Sequence, residues 1–311
     1  MHIAIYCRDR LPTKGYGGSQ RVAVWLVRGL AELGHQVTLI AGPGSKVPEA
    51  TLVPVDLKKA YQPGFDVSPL IPPGVEIFHS IAGEMFVPPS VPFLWTQEGN
   101  FREGKQPPPH TIYVSHNHAS RYGSTSFVYN GIDPAEFEFR PEKLDYDFFI
   151  GRLHRVKGYQ LAIEGAKRTS RKLLLAGGWR PSLRRQIRFV GEVEGKEKAD
   201  LLAGARCLWM PALWDEPFGL TLAEALISGT PVIGTHWGSL PEIISPEVGG
   251  LGDTIEELVE IARTIDQQRN PDACRARAME YFTHIKMAEE YVRFYRHFLS
   301  TGEVPAGRKT S

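Results

Sequence analysis

The stretch WDEPFGLTLAEALISGTPVIGT, Trp214 to Thr235, limits what this chain can fold into more than any other. Pro217 and Gly219 force a tight path into a helix that begins near Leu220. Gly229 and Pro231 end that helix, as a glycine just past the last turn and a proline soon after it do. Val232 and Ile233 then read as a short buried strand. Glu216 therefore stands in a loop at a helix N-terminus, and Glu224 lies about one turn inside the same helix. The N–H groups of Phe218, Gly219 and Leu220 point out of that end, and a helix N-terminus attracts anions, phosphate above all. Carboxylates only accept hydrogen bonds, so two of them here suit a ligand with a phosphate and several hydroxyls. The plainer reading makes Glu216 a carboxylate favoured by the helix dipole and Glu224 a solvated helix residue.

The same alternation of strand and helix runs through the whole chain. Ile3 to Tyr6 reads as a strand, followed by a loop with Gly15, Gly17 and Gly18. Val22, Trp25, Leu26, Leu30 and Leu33 then recur at helical spacing, and Val37 to Ala41 gives a second strand. This is a βαβ unit whose glycines let backbone N–H groups approach a phosphate, although many such loops are only tight turns. Further strands are expected at 51–55, 75–81, 93–96, 112–114 and 127–129. The second half repeats the pattern with strands at 148–150, 173–176, 187–190 and 207–210. Helices are expected at about 158–169, 196–204 and 254–268, with two more between Pro271 and Leu299 that bend near 282–285. Alternation of this kind favours parallel sheets covered on both faces.

Composition narrows the function. A length of 311 residues suffices for two domains, and 42% hydrophobic with 23% charged residues describes a soluble globular protein. The formal net charge of +1 gives no overall pull toward nucleic acid. Cys7, Cys207 and Cys274 are few, odd in number and far apart, which fits buried thiols in a reducing compartment. The N-terminus lacks the layout of a signal peptide, and no apolar run reaches the ~18 residues of a membrane span. A cytoplasmic protein is expected, with membrane contact only peripheral, at the inner face.

The string Glu-Pro-Phe-Gly-x-x-x-x-Glu-Ala-x-x-x-Gly-x-Pro-Val-Ile resembles the signature of retaining glycosyltransferases of family 4, which have the GT-B fold. YGGSQRVAVWLVRGLAELGHQVTLIAG resembles the family's donor-phosphate loop, with Gln20 where Glu is usual. VYNGIDPAEF resembles its exit from the first domain. The resemblance implies an α/β protein of two Rossmann-like domains with parallel sheets facing across a cleft. The domains are expected at 1–140 on the acceptor side and 141–283 on the donor side. A helix at 284–300 would cross back to the first domain, ahead of a disordered tail at 301–311. It implies a hexosyltransferase that needs no cofactor or metal and takes a nucleoside diphosphate sugar, UDP- or GDP-linked, to an acceptor hydroxyl. Glu216 would contact the donor sugar and Glu224 the ribose. The amides of Gly17 and Gly18 would meet the diphosphate.

GRLHRVKGYQLAIEG matches the family's Gly-Arg-Leu-x-x-x-Lys-Gly element, so Arg152 and Lys157 are expected to stabilise the leaving diphosphate. His79, at a strand end, is a candidate beside the reacting sugar. Gln97 stands where the family often has His, and Glu98 next to it is a candidate for an acceptor hydroxyl. His110, His116 and His118 match no closed zinc pattern. Asp145-Tyr146-Asp147 spells the metal-binding DxD of another glycosyltransferase fold, but reads as a solvated linker. Arg180, Arg184, Arg185 and Arg188 form a basic cluster that reads as a solvated face. Competing readings are a nucleotide-sugar-binding protein without turnover and a sugar phosphorylase of the same fold. A dinucleotide oxidoreductase is also open, although the GxGxxG fingerprint is missing.

Overall fold

The computed structural model describes residues 1–13, 15, 17–82, 90–268 and 270–310. Tyr16 of the Tyr-Gly-Gly loop lies outside them. The chain divides into two compact units, one formed by Met1–Gly131 with Thr283–Lys309 and one built on Ile132–Phe282.

The first unit contains strands β1 (His2–Cys7), β2 (Gln36–Ala41), β3 (Thr51–Pro54), β4 (Ile77–Ala82), β5 (Phe93–Gln97) and β6 (Thr111–Tyr113). Its helices are α1 (Gly18–Glu32), α2 (Leu57–Ala60) and α3 (His116–Arg121). The strands form one parallel sheet in the order β3-β2-β1-β4-β5-β6. The apolar spacing of α1 buries Val22, Trp25, Leu26 and Leu30. Gly29 brings α1 close to the C-terminal helix His284–Thr301, since a Cβ there would lie 2.5 Å from the His284 carbonyl.

The second unit contains β7 (Asp147–Ile150), β8 (Leu173–Ala176), β9 (Ile187–Gly191), β10 (Leu208–Met210), β11 (Val232–Gly234) and β12 (Gly249–Leu251). Its helices are α4 (Tyr159–Thr169), α5 (Gly195–Gly204), α6 (Leu220–Ile227), α7 (Leu240–Ile243), α8 (Ile255–Gln268) and α9 (Pro271–Tyr281), so the C-terminal helix is α10. Its parallel sheet runs β12-β11-β10-β7-β8-β9. Phe149, Leu175, Trp209 and Ile233 build its core with Leu258, Ala262 and Ile265 of α8. Counted from its own first strand, each sheet has the order 3-2-1-4-5-6, the doubly wound arrangement. The order reverses between β1 and β4 in one unit and between β7 and β10 in the other. Ligands of such sheets bind beyond the strand C-termini at that reversal.

Some expectations change. The first unit closes at Gly131 and not near 140, because Ile132 already donates its N–H to the Phe282 carbonyl at 2.9 Å in the second unit. Residues 127–129 make only a single bridge, Tyr113 to Phe127, and no strand. The tail expected to be disordered is held against the first unit. Gly307 donates to the Thr125 carbonyl at 2.9 Å, and Arg293 reaches the Ala306 carbonyl at 2.7 Å. A side chain at 307 would collide with the Phe127 carbonyl at 2.2 Å, so glycine permits this path. Asp147 is no solvated linker residue either. It is 0% exposed and accepts from Arg171, Arg206 and Trp209 at 3.0–3.2 Å, which anchors the start of β7.

Candidate active site

In the second unit, the loops that leave β7 and β10 build one constellation. β7 ends at Ile150, and Gly151 and the exposed Arg152 follow it. A 3-10 turn, Arg155–Lys157, follows and leads through Gly158 into α4. Gly158 has φ +72°, and a Cβ on it would lie 1.7 Å from the Pro211 carbonyl. Only glycine allows that approach. Leu213 also donates to the Val156 carbonyl at 2.8 Å, so the turn carrying Lys157 is fastened to the loop after β10. Lys157 Nζ consequently lies 2.6 Å from Glu216 Oε2 and 4.5 Å from the centre of the Trp214 ring. Trp214 Nε1 donates to the same carboxylate oxygen at 2.9 Å. Glu216 is 8% exposed, and its backbone is fixed by Ser239, which donates to the Glu216 carbonyl at 3.0 Å. Gly238 leaves the room for this, since a Cβ there would meet Glu216 N at 2.3 Å.

The helix after Glu216 begins as the sequence indicated. Gly219, at φ +79°, is the N-cap of α6, and Phe218 is buried behind it with its carbonyl accepting from Ser239 Oγ at 2.9 Å. Leu220 is the first helical residue. Glu224 is not a solvated helix residue. It is fully buried, and its Oε1 accepts from Lys198 Nζ of α5 at 2.8 Å. Sequence reasoning missed Lys198, which sits 26 residues earlier on another helix and belongs to no motif. The structure thus joins Lys157 to Glu216 and provides Glu224 with its own cation. Arg152 is placed at the same sheet edge.

The first unit has a cavity of 690 Å³ beyond the C-termini of β1, β4 and β5, where its strand order reverses. Arg8, Asp9, Gln20, Tyr61, Gln97 and Glu98 are among its lining residues. Asp9 accepts from Gln20 Nε2 at 2.8 Å and from the Tyr61 hydroxyl at 2.7 Å. The departure at Gln20 thereby has a physical reason: an amide can donate to Asp9, whereas a glutamate would repel it. Gly17 caps α1, and a Cβ on it would lie 2.5 Å from Thr13 Cγ2. Gly18 is the first residue of that helix. Gln97 turns back on its own loop, donating to the Gly99 carbonyl at 2.6 Å. Glu98 Oε2 accepts from Asn130 at 2.8 Å, while its buried Oε1 has no partner. Burial pushes the Glu98 carboxyl up to about 7, against the opposing hydrogen bond from Asn130.

His79 is not placed for catalysis. Its side chain is 0% exposed beneath α10, with Nδ1 at 2.6 Å from the Tyr295 hydroxyl and Nε2 at 2.8 Å from Thr96 Oγ1. Burial lowers it to about 3, so the ring is neutral. His118 is likewise buried and lowered to about 3, first by burial and then by Arg121. Among the described residues no cluster of three His, Cys, Asp or Glu side chains could hold a metal ion. Arg180, Arg184 and Arg185 lie on an exposed loop with Trp179, 71% exposed, and Arg188 is exposed on β9. No described helix is long and apolar enough to cross a membrane.

Two doubly wound parallel sheets with helices, carrying basic and acidic groups at the edges of the second, define a GT-B protein. Residues 147–267 match the model of the family described as Glycosyl transferases group 1. AviGT4, a glycosyltransferase involved in avilamycin A biosynthesis, is 29% identical with a TM-score of 0.77, over 96% of this chain and 98% of that one. An uncharacterized glycosyltransferase of Methanocaldococcus jannaschii, MJ1607, is 30% identical over 154 residues, 40% of this chain and 39% of that protein. The MMP alpha-(1->4)-mannosyltransferase of Mycolicibacterium hassiacum is 35% identical over 109 residues, 32% of this chain and 26% of that protein. The matched stretches therefore span well under two thirds of these curated relatives.

Proposed function

We propose that the chain is a retaining glycosyltransferase. It moves a hexose from a nucleoside diphosphate sugar to an acceptor hydroxyl and uses no metal ion. The observation that carries this reading is the Lys157–Glu216–Trp214 constellation beside the N-terminus of α6. Breaking the bond to the leaving diphosphate places new negative charge on its oxygens. Lys157 and Arg152 supply fixed positive charge for it, which lowers the barrier most where water is excluded. Glu216 is held by Lys157 and Trp214, so its carboxylate can take hydrogen bonds from donor sugar hydroxyls without reorganising. Glu224, on the first turn and a half of α6, receives the ribose hydroxyls, and Lys198 holds its charge. The amides of Gly17 and Gly18 at the start of α1 are a second anion-binding terminus. Retention follows from attack on the face that the diphosphate leaves, with the leaving oxygen taking the acceptor proton.

The test is thermal unfolding with UDP, GDP, ADP and NAD, on the wild type and on Glu224→Ala. A ligand at about 100 times its dissociation constant stabilises by ~2.7 kcal/mol. One nucleoside diphosphate should raise the midpoint, and the variant should lose the shift. A response to NAD alone, or to none of the four, overturns the transferase reading.

A further inference from the structure

β8 and β9 are parallel neighbours, and β9 is the edge strand of its sheet. Parallel neighbours need a crossover, usually a helix that buries its apolar side chains on the sheet. Here the crossover, residues 177–186, holds no helix. Its ends are fixed: Gly177 donates to the Gly191 carbonyl at 2.7 Å, and Leu173 donates to the Gln186 carbonyl at 2.8 Å. Between those ties its large side chains turn to solvent. Trp179 is 71% exposed and Leu183 fully so, more than any other large apolar side chain among the described residues. Arg180, Arg184 and Arg185 share the loop, and Arg188 is exposed on β9. No Asp or Glu lies between Gly177 and Gly191, in a chain whose net charge is only +1. None of these guanidiniums makes an ion pair among the described residues, and Arg180 lies 5.2 Å from the centre of the Tyr159 ring of α4.

The loop therefore has two unmet needs. The guanidiniums match anions, phosphate in particular, whereas Trp179 and Leu183 gain by leaving water. An anionic lipid surface offers both, with phosphates at the headgroups and acyl chains just beneath, at the boundary where indole rings settle. A nucleic acid would answer the charge and stack on Trp179 but offer Leu183 nothing. A second copy of this chain would bring the same arginines against these.

We propose that the loop 177–186, with Arg188 beside it, docks the second unit on a membrane surface rich in anionic lipid. The arginines meet the lipid phosphates, and Trp179 and Leu183 enter the boundary between headgroups and acyl chains. The arginine cluster, expected from the sequence to be a solvated face, is then a lipid-facing one. The proposal goes beyond the transferase reading and does not depend on it.

Co-sedimentation of the full chain with vesicles tests this, using phosphatidylcholine alone and an equal mixture of phosphatidylcholine and phosphatidylglycerol. The mixed vesicles should bind at least about tenfold more tightly, and added salt should weaken that binding. Two double variants divide the contributions. Arg184→Gln/Arg185→Gln should lose about tenfold or more on the mixed vesicles, since each basic residue near such a surface contributes about fivefold. Trp179→Ser/Leu183→Ser should lose about tenfold and keep the salt dependence. All these side chains are exposed, so both variants keep the fold. No binding to the mixed vesicles, equal binding to both compositions, or an unchanged arginine variant overturns the proposal. An apolar variant that binds mixed vesicles as tightly as the wild type also overturns it, because the patch would then be a site for any polyanion, nucleic acid included. A lipid-free dimer that the apolar variant splits would assign the loop to a second copy of the chain and overturn it too.

Discussion

Lys198 and Glu224 form the most deeply buried ion pair of the candidate site, with Glu224 fully buried and 2.8 Å between the charges. Removing one partner of such a pair strands the other charge, at a cost of about 3–5 kcal/mol. Lys198→Met should therefore lower the urea-unfolding free energy by about that amount, and adding Glu224→Gln should recover much of it. A single-variant cost below about 1 kcal/mol would mean that the carboxylate finds another way to be neutralised. His79 gives the contrasting case. His79→Leu removes the partner of Thr96 and Tyr295 inside the first unit and should cost about 2–4 kcal/mol. Turnover per folded molecule should stay within about twofold of wild type; a loss of several orders of magnitude would restore it as a catalytic group. These residues also mark what a linear reading can reach. Glu216 and Lys157 were legible because each lies in a short motif whose backbone path is set by neighbouring Pro and Gly. Lys198 was not, because its partner is 26 residues away and nothing local announces it. His79 was misjudged for the same reason: its partner Tyr295 lies 216 residues downstream, and a strand-end position does not reveal a covering helix.

At the level of elements, the position of Lys157 depends on how closely its turn can approach the loop after β10. Gly158→Ala adds a methyl 1.7 Å from the Pro211 carbonyl at φ +72°, so backbone must move. We expect a destabilisation of about 2 kcal/mol or more, together with loss of the nucleoside diphosphate thermal shift. An unchanged thermal shift would show that Lys157 is not needed where the structure puts it. The helices were legible where apolar spacing extends over several turns, as in α1 and α8. β10, only three residues long, was found because it is wholly apolar. β12 was missed because its sequence is Gly-Gly-Leu, two of whose residues have no side chain to signal a buried face. α7, with four residues, is too short to show a period. The segment at 127–129 looked like a strand from composition alone, since β-propensity describes a half-buried surface and does not supply a partner.

Across the molecule, the repeated strand order explains why both candidate sites sit at strand C-termini, but the buried groups whose shifted values lie between about 3 and about 7 belong to one unit. His79 and His118, both lowered to about 3, lie with Glu98, raised to about 7, in the first unit. The two histidines are neutral when folded and bind protons more readily when unfolded. Their contribution is complete above the ordinary value of 6.5 and is lost as pH falls toward 3. His35, lowered by burial and by the N-terminal amine, acts in the same direction. Glu98 has the reverse sign. Its folded carboxyl holds a proton more tightly than the unfolded one, so its contribution is complete below 4.5 and is lost as pH rises through about 7. Below 4.5 the histidines act alone; between 4.5 and 6.5 they outnumber Glu98; above 6.5 only Glu98 titrates, until it is fully ionised. Stability of the first unit should therefore peak close to pH 6.5. Each titrating group sets a limiting slope of about 1.4 kcal/mol per pH unit, which the partial exposure of Glu98 reduces. Hydrogen exchange over β1, β4 and β5, corrected for the intrinsic rate, measures this. Glu98→Gln should abolish the fall above the peak and leave the acid side unchanged. A variant that keeps the alkaline fall would show that Glu98 is already ionised in the folded protein, and that the first cavity is more acidic than its burial implies.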